Sequence, residues 1–262
     1  MQSTSATPIT EFSDTLTREL ETQILKAKKP NTKSFAAFDA DGTLWDTDVG
    51  DIFFLYQIKN CNLPNMPADP WQHYMNLKSQ DRVKAYYWLA QISAGQKLSQ
   101  VHAWAKSALL DFENSHGPLP ILKSNLRLIQ FLKKTGVDVF VVTASVKWAV
   151  EPAAARLGIP PENVLGFHTE VDDGIVTERP IAPPTYRQGK ADAVLKASGG
   201  VAPIFCAGNT FGDTAMLNCA SAVRLAVRTQ STLDTHSPLL EEELILQKEA
   251  QEKHWFTHAF RP

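Results

Sequence analysis

Short runs of mostly apolar residues recur along the chain, each closed by a polar residue or a turn former. They fall at 35–38, 137–142, 164–167, 203–207 and 223–227. Runs of this length suit strands buried on both faces of a parallel sheet. Between them the apolar positions switch to helical spacing over 119–134, 147–157 and 187–197, closed by Gly136, Gly158 and Gly199. A glycine just past a helix is the expected stop. Pro152 marks a break or a fresh start inside the second of these. An earlier helix is predicted over 15–29, ended by Pro30, and a last amphipathic one over 239–253. After it, Trp255, Phe256 and Phe260 are expected to pack the end of the chain onto the core.

Residues 46–117 break this alternation. They hold no strand-like run and read as helices over 48–59, 70–77, 81–94 and 99–112, punctuated by Pro64, Pro67, Pro70 and Gly95. The predicted fold class is α/β: a Rossmann-like parallel sheet with helices on both faces, plus an all-helical segment inserted after the first strand. The expected division is a core of 1–45 and 118–262 with an inserted helical domain at 46–117. Asp172-Asp173-Gly174, between two β-prone stretches, predicts a hairpin.

Composition adds little to this picture but narrows the partners. The 262 residues carry a net charge of -2, so there is no basic footprint for nucleic acid as the main partner. The three cysteines, Cys61, Cys206 and Cys219, are far apart and lack metal-ligand spacing. Cys206, in an apolar run, reads as a small core residue of a reducing compartment. The polar stretch 1–14 reads as a mobile lead without the basic start and apolar core of a secretory signal. No apolar run approaches the ~20 residues a membrane span needs. A cytoplasmic location, with no membrane partner, is the expectation.

Four strand ends carry candidate chemistry. Asp39-Ala40-Asp41-Gly42 follows the first apolar run directly. In open α/β sheets ligands bind beyond the carboxyl ends of strands. One carboxylate there can act as a nucleophile, and a second, two residues on, as general acid and base. Calcium loops share Asp-x-Asp-Gly, but no glutamate follows at calcium-loop spacing. Thr143-Ala144-Ser145 ends the second run, a hydroxyl with adjacent amides that could hold an anion or cap the next helix. Gly189-Lys190 opens a helix, where a lysine could neutralise a transferring group or simply be solvated. Gly208-Asn209, with Asp213 four residues on, offers hard oxygen donors for magnesium.

In this order, these segments resemble the haloacid dehalogenase superfamily of hydrolases, in particular the branch that contains phosphoserine phosphatase. The resemblance covers about 35–227 and includes the helical segment between the first two motifs. It implies a magnesium-dependent phosphatase acting on a phosphomonoester through an aspartyl-phosphate. Asp39 would be the nucleophile and Asp41 the general acid and base. Gly42, Thr143, Ala144 and Lys190 would hold the phosphate. Asp39, the Asp41 carbonyl, Asn209 and Asp213 would serve the metal, with Asp213 alternatively orienting Lys190.

Asn209 stands where the family usually has Asp. That loss of charge predicts weaker magnesium binding and a gain on replacing Asn209 by Asp. It also leaves open a phosphate-binding or regulatory protein with little turnover; a phosphotransferase or phosphomutase is a further alternative. Asp48 falls where phosphoserine phosphatase-like proteins carry a substrate-binding Glu, with Asp46 and Asp51 as rivals and a helix cap as the plainer role. Arg82 could meet a carboxylate or lie exposed. The aromatics of 53–104, Trp88 among them, read as core more readily than as a cage for a cationic substrate such as phosphocholine. A small phosphorylated metabolite is the expected substrate, with amine-bearing ones such as phosphoserine among the candidates.

Overall fold

The structure is a computed structural model and describes residues 9–64, 66–233 and 237–262. The lead expected over 1–14 lies partly outside them. Helix α1 (Asp14–Ala27) is capped by the Ser13 hydroxyl and leads to strand β1 (Ser34–Phe38). Four helices follow: α2 (Val49–Asn60), α3 (Pro70–Gln80), α4 (Arg82–Gln91) and α5 (Leu98–His116). Three of the four open on an aspartate, Asp48, Asp69 or Asp81, whose side chain accepts a first-turn N–H. Asp81 also closes α3, so one residue separates two helices. Gly117, at φ +90°, ends α5.

Helix α6 (Lys123–Lys134) starts later than the apolar pattern suggests, because Pro120 disfavours helix in Leu119 and Ile121 bridges to Trp45. Strand β2 (Val137–Val146) runs on past Val142 and takes in Thr143-Ala144-Ser145, with an irregular register between Val142 and Val146. Helix α7 (Lys147–Arg156) passes through Pro152 without a break. Then come β3 (Val164–Phe167), the hairpin of β4 (Thr169–Asp172) and β5 (Ile175–Pro180), and α8 (Gln188–Ala197). At the hairpin tip Asp173 and Gly174 have φ of 47° and 78°, the two left-handed residues that a type I′ turn needs. The chain ends with β6 (Phe205–Gly208), α9 (Thr214–Cys219), β7 (Val223–Arg228), α10 (Pro238–Glu252) and β8 (Phe256–Ala259).

The main sheet has the order β3-β2-β1-β6-β7-β8, and β1–β6, β2–β3, β6–β7 and β7–β8 all pair in parallel. Every residue of β1 and β6 is buried, which is why those segments are apolar without alternation. The sequence predicts the last strand only as a packing segment. Its four half-buried residues carry little strand signal, and it forms by pairing with β7.

The chain divides into two compact units. The first is Met1–Asp46, Ile121–Phe140 and Val194–Pro262; the second is Thr47–Pro120 and Val141–Ala193. In the second unit Phe53, Phe54, Tyr74, Leu89, Val101, Val146 and Trp148 form one apolar core. Trp88 packs at its edge, 5.6 Å from the Phe54 ring and 4.9 Å from His73. Phe53, Phe54 and Tyr74 of the aromatic stripe are buried in this core, Tyr56, Tyr86, Trp88 and Trp104 pack half-buried against it, and Trp71 is exposed. Among the described residues no helix is long and apolar enough to cross a membrane.

Candidate active site

In the first unit the parallel register of Phe38 with Ala207 sets the ends of β1 and β6 side by side, and the Asp39 N–H donates to the Ala207 carbonyl at 2.9 Å. Asp39 is only 6% exposed. The Thr43 hydroxyl lies 3.2 Å from Asp39 Oδ2 and 3.3 Å from Asn209 Oδ1. A carboxylate oxygen and an amide oxygen from two adjacent strand ends therefore share one hydroxyl. Asn125 Nδ2 in turn donates to the Thr43 carbonyl at 2.6 Å, fixing the loop from α6.

Asp41 is steered by the chain just after it. Trp45 Nε1 donates to Asp41 Oδ1 at 2.7 Å, and the Gly42 N–H donates to the Trp45 carbonyl at 2.8 Å. Gly42 has φ +78°, and a Cβ there would stand 2.2 Å from Asn209 Nδ2. Both the backbone and the close approach require glycine.

Asp213 is completely buried and clamps the β6 loop. Its Oδ2 accepts from the Asn209 N–H at 3.1 Å, the Thr210 N–H at 3.0 Å and the Thr210 hydroxyl at 3.2 Å. Gly208 is needed beside it, since a Cβ there would lie 2.5 Å from Asp213 Cβ. Asp46, a rival for substrate contact, is paired with Arg261.

Magnesium prefers hard oxygen donors and keeps several waters, so few protein groups are required. Asp39, Asn209 Oδ1 and the Asp41 carbonyl are donors of that kind, and the shared Thr43 hydroxyl holds the first two close together. The donor set fits the ion. Among the described residues no three His, Cys, Asp or Glu side chains group as a metal site.

In the second unit Thr143 is buried, and its Oγ1 accepts from the Ser145 N–H at 3.0 Å. It does not cap α7, whose N-cap is Val146 without a side-chain bond. A Cβ on Gly50 would stand 2.6 Å from Ser145 Oγ and 3.1 Å from Asp48 Oδ1. The first turn of α2 is therefore pressed against the Thr143–Ser145 turn, with Asp48 at the junction. Asp48 caps α2 by accepting from the Asp51 N–H at 2.8 Å, so it has the capping role whatever else it does. Lys190 is 4% exposed and follows Gly189, where a Cβ would lie 1.7 Å from the Pro184 carbonyl oxygen. Arg82, the first residue of α4, reaches the Tyr186 hydroxyl at 3.4 Å.

Asp48 keeps an accessible surface, yet dense surroundings raise its carboxyl above the ordinary range. Asp51 is pushed up to about 7, by burial first and then by the Asp48 charge, with Lys78 opposing. An acid that holds its proton more tightly when folded loses stability for the fold as pH rises from its unfolded value, near ~4, to its folded one. Thermal stability should thus fall between about pH 4 and pH 7 through this residue. Asp51→Asn is expected to raise the melting midpoint at pH 8 by about 5 °C, at ~2–4 °C per kcal/mol for a chain of this size, and to leave it nearly unchanged at pH 4. Scanning calorimetry at the two pH values checks this; equal shifts at both would refute the assignment.

Three residues of the first unit take part in the site without being singled out by sequence: Thr43, Trp45 and Glu243. Thr43 lies in the Asp-x-Asp-Gly-Thr run and is open to notice there. Glu243 gives no signal, being one of three consecutive glutamates on an amphipathic helix.

Asp39 and Asn209 directly follow the ends of the adjacent parallel strands β1 and β6. The model of the haloacid dehalogenase-like hydrolases matches residues 36–218, and the chain belongs to that family. No curated protein matches it. A protein of unknown function from Bordetella pertussis Tohama I has a similar structure, with TM-score 0.64 and 19% identity over 87% of this chain and 99% of that one. A functionally unknown protein from Anaerococcus prevotii DSM 20548 aligns with TM-score 0.64 and 18% identity, covering 93% and 89%. A phosphoserine phosphatase determined as a phospho-aspartyl intermediate analogue aligns with TM-score 0.51 and 14% identity, covering 87% and 94%. This chain shares its fold with these three proteins.

Proposed function

We propose that the protein is a magnesium-dependent phosphatase that hydrolyses a small phosphomonoester through an aspartyl-phosphate on Asp39. The observation that carries this reading is the buried Asp39 carboxylate beside the Asn209 amide oxygen, the two joined by the Thr43 hydroxyl at the ends of adjacent parallel strands. Asp39 attacks phosphorus. Asp41, held by the Trp45 indole, protonates the leaving oxygen and then takes a proton from water. Thr143, Ala144 and Lys190 hold phosphate oxygens; the Gly42 N–H, given to the Trp45 carbonyl, contributes mainly by shaping the loop. Asp39, the Asp41 carbonyl and Asn209 hold the ion, which supplies charge neutralisation at the phosphate when bound. Asp213 keeps the Asn209 loop in place.

Residues 46–117 are proposed as a cap on a core formed by 1–45 and 118–262. Asp48 and Asp51 favour a substrate with an ammonium group, since a cation beside two crowded acids relieves their repulsion. The three free thiols suit a reducing, cytoplasmic setting.

The direct test is hydrolysis of p-nitrophenyl phosphate. With millimolar magnesium the full chain should turn over, and excess chelator should reduce the rate at least ~10²-fold. Equal rates with and without chelator, or no hydrolysis of any phosphomonoester, would refute the proposal.

A further inference from the structure

Position 209 is where this chain departs from the pattern of its family, and the structure shows what stands behind it. The two ends of the Asn209 amide face different partners. Its Nδ2 donates to Glu243 Oε1 at 3.0 Å, and its Oδ1 lies 3.3 Å from the Thr43 hydroxyl that also reaches Asp39. Glu243 comes from α10 and is 0% exposed. Besides Asn209 it accepts from the Thr229 N–H at 3.1 Å, the Thr229 hydroxyl at 2.9 Å and the Gln230 N–H at 2.9 Å. A carboxylate is acceptor-only, and four donors converge on this one. Burial raises the Glu243 carboxyl above the ordinary range, and those four hydrogen bonds only partly oppose it.

The orientation of the amide follows from chemistry. Turned over, Asn209 would set its oxygen against Glu243 Oε1, two acceptors with no proton between them. Gly42 presses from the side, with no room even for a Cβ before Nδ2. The arrangement that gives Nδ2 an acceptor turns Oδ1 toward the Thr43 hydroxyl.

We infer that Glu243 is a positioning residue, which holds Asn209 with its oxygen turned to the metal and carries, one side chain further out, the negative charge that an aspartate in place of Asn209 would have supplied. The inference rests on the metal reading proposed above. It also reverses an expectation from sequence. Asn209→Asp alone would not tighten magnesium binding, because it sets a second carboxylate against Glu243 in a buried place. Like charges so close cannot both stay ionised there. Glu243→Gln alone is also unfavourable: its NH2 group must face Asn209 Nδ2 and the Thr229 N–H, or else the Gln230 N–H, donor against donor. Together the two changes remove the clash at position 209, while one backbone N–H, that of Thr229, still faces the new NH2 group. The amide introduced on α10 can donate to the carboxylate introduced after β6, and the charge has moved inward.

The test is a double-mutant cycle on the full chain, with two readouts. One is the melting midpoint in chelator; the other is magnesium affinity by titration calorimetry. Each single variant should melt lower than the native protein and bind magnesium about tenfold or more weakly. The double variant, Asn209→Asp with Glu243→Gln, should recover part of both and exceed each single variant. Tighter magnesium binding by Asn209→Asp alone at unchanged melting would overturn the inference, as would native affinity in Glu243→Gln. A double variant no better than the better single would also overturn it. If the native protein gives no magnesium heat, the metal reading fails; the melting cycle in chelator still decides whether Glu243 fixes the amide.

Discussion

Asp39→Asn should abolish turnover while leaving the fold intact. The replacement keeps the shape of the side chain and one oxygen for the Thr43 hydroxyl, which sits 3.2 Å from Asp39 Oδ2. The backbone bond from residue 39 to Ala207 is untouched. What disappears is the anionic oxygen that attacks phosphorus and one charge at the metal. Removing a nucleophile from a covalent mechanism costs on the order of 10⁴-fold or more in kcat. Steady-state hydrolysis of p-nitrophenyl phosphate, with melting followed in parallel, separates lost chemistry from lost structure. A variant that retains a tenth of native activity would show that Asp39 is not the nucleophile.

Asp213→Ala should produce the largest loss of stability among the site residues. The Asp213 carboxylate is fully buried and satisfies two backbone N–H groups and one hydroxyl of the loop after β6. Truncation leaves these donors without their acceptor, and a buried donor left unsatisfied costs ~1–3 kcal/mol. Two such N–H groups put the total at about 4 kcal/mol. For a chain of this size that lowers the melting midpoint by roughly 8–16 °C. Asp213→Asn, which keeps one acceptor oxygen, should fall between native and alanine. Differential scanning calorimetry of the three proteins in chelator gives the comparison. An alanine variant melting within about 2 °C of native, the smallest shift expected for a single kcal/mol, would remove the clamp from the account.

Particular residues show how far the chain could be read without coordinates. The runs that stop at Asp39 and near Gly208 were legible because a strand buried on both faces has no alternation to blur it. The helices of the inserted segment were legible from the prolines and the glycine that punctuate them. Other features depended on partners distant in sequence. Residues 256–259 form a strand because β7 offers its edge, a fact absent from Phe256-Thr257-His258-Ala259 itself. Thr143 reads by sequence as an anion holder or a helix cap; β2 carries on through it and its hydroxyl accepts from the Ser145 N–H, so it is not the cap. Glu243 was invisible because only the fold sets α10 beside the loop of Asn209. The departure at 209 could be seen as a missing charge, but not as one supplied from elsewhere.

The central claim is that a phosphoryl group passes through Asp39. It is tested most directly by trapping that species in an Asp41→Asn variant. Asp41 is assigned the proton transfers, so its loss should slow hydrolysis of the intermediate. A good leaving group such as p-nitrophenolate departs without needing a proton. After incubation with p-nitrophenyl phosphate and magnesium, acid quench and peptide mass spectrometry should find one phosphoryl group, on the peptide and at the side chain of Asp39. A phosphoryl group on any other residue, or hydrolysis by the native enzyme with no trapped species in the variant, would contradict the account.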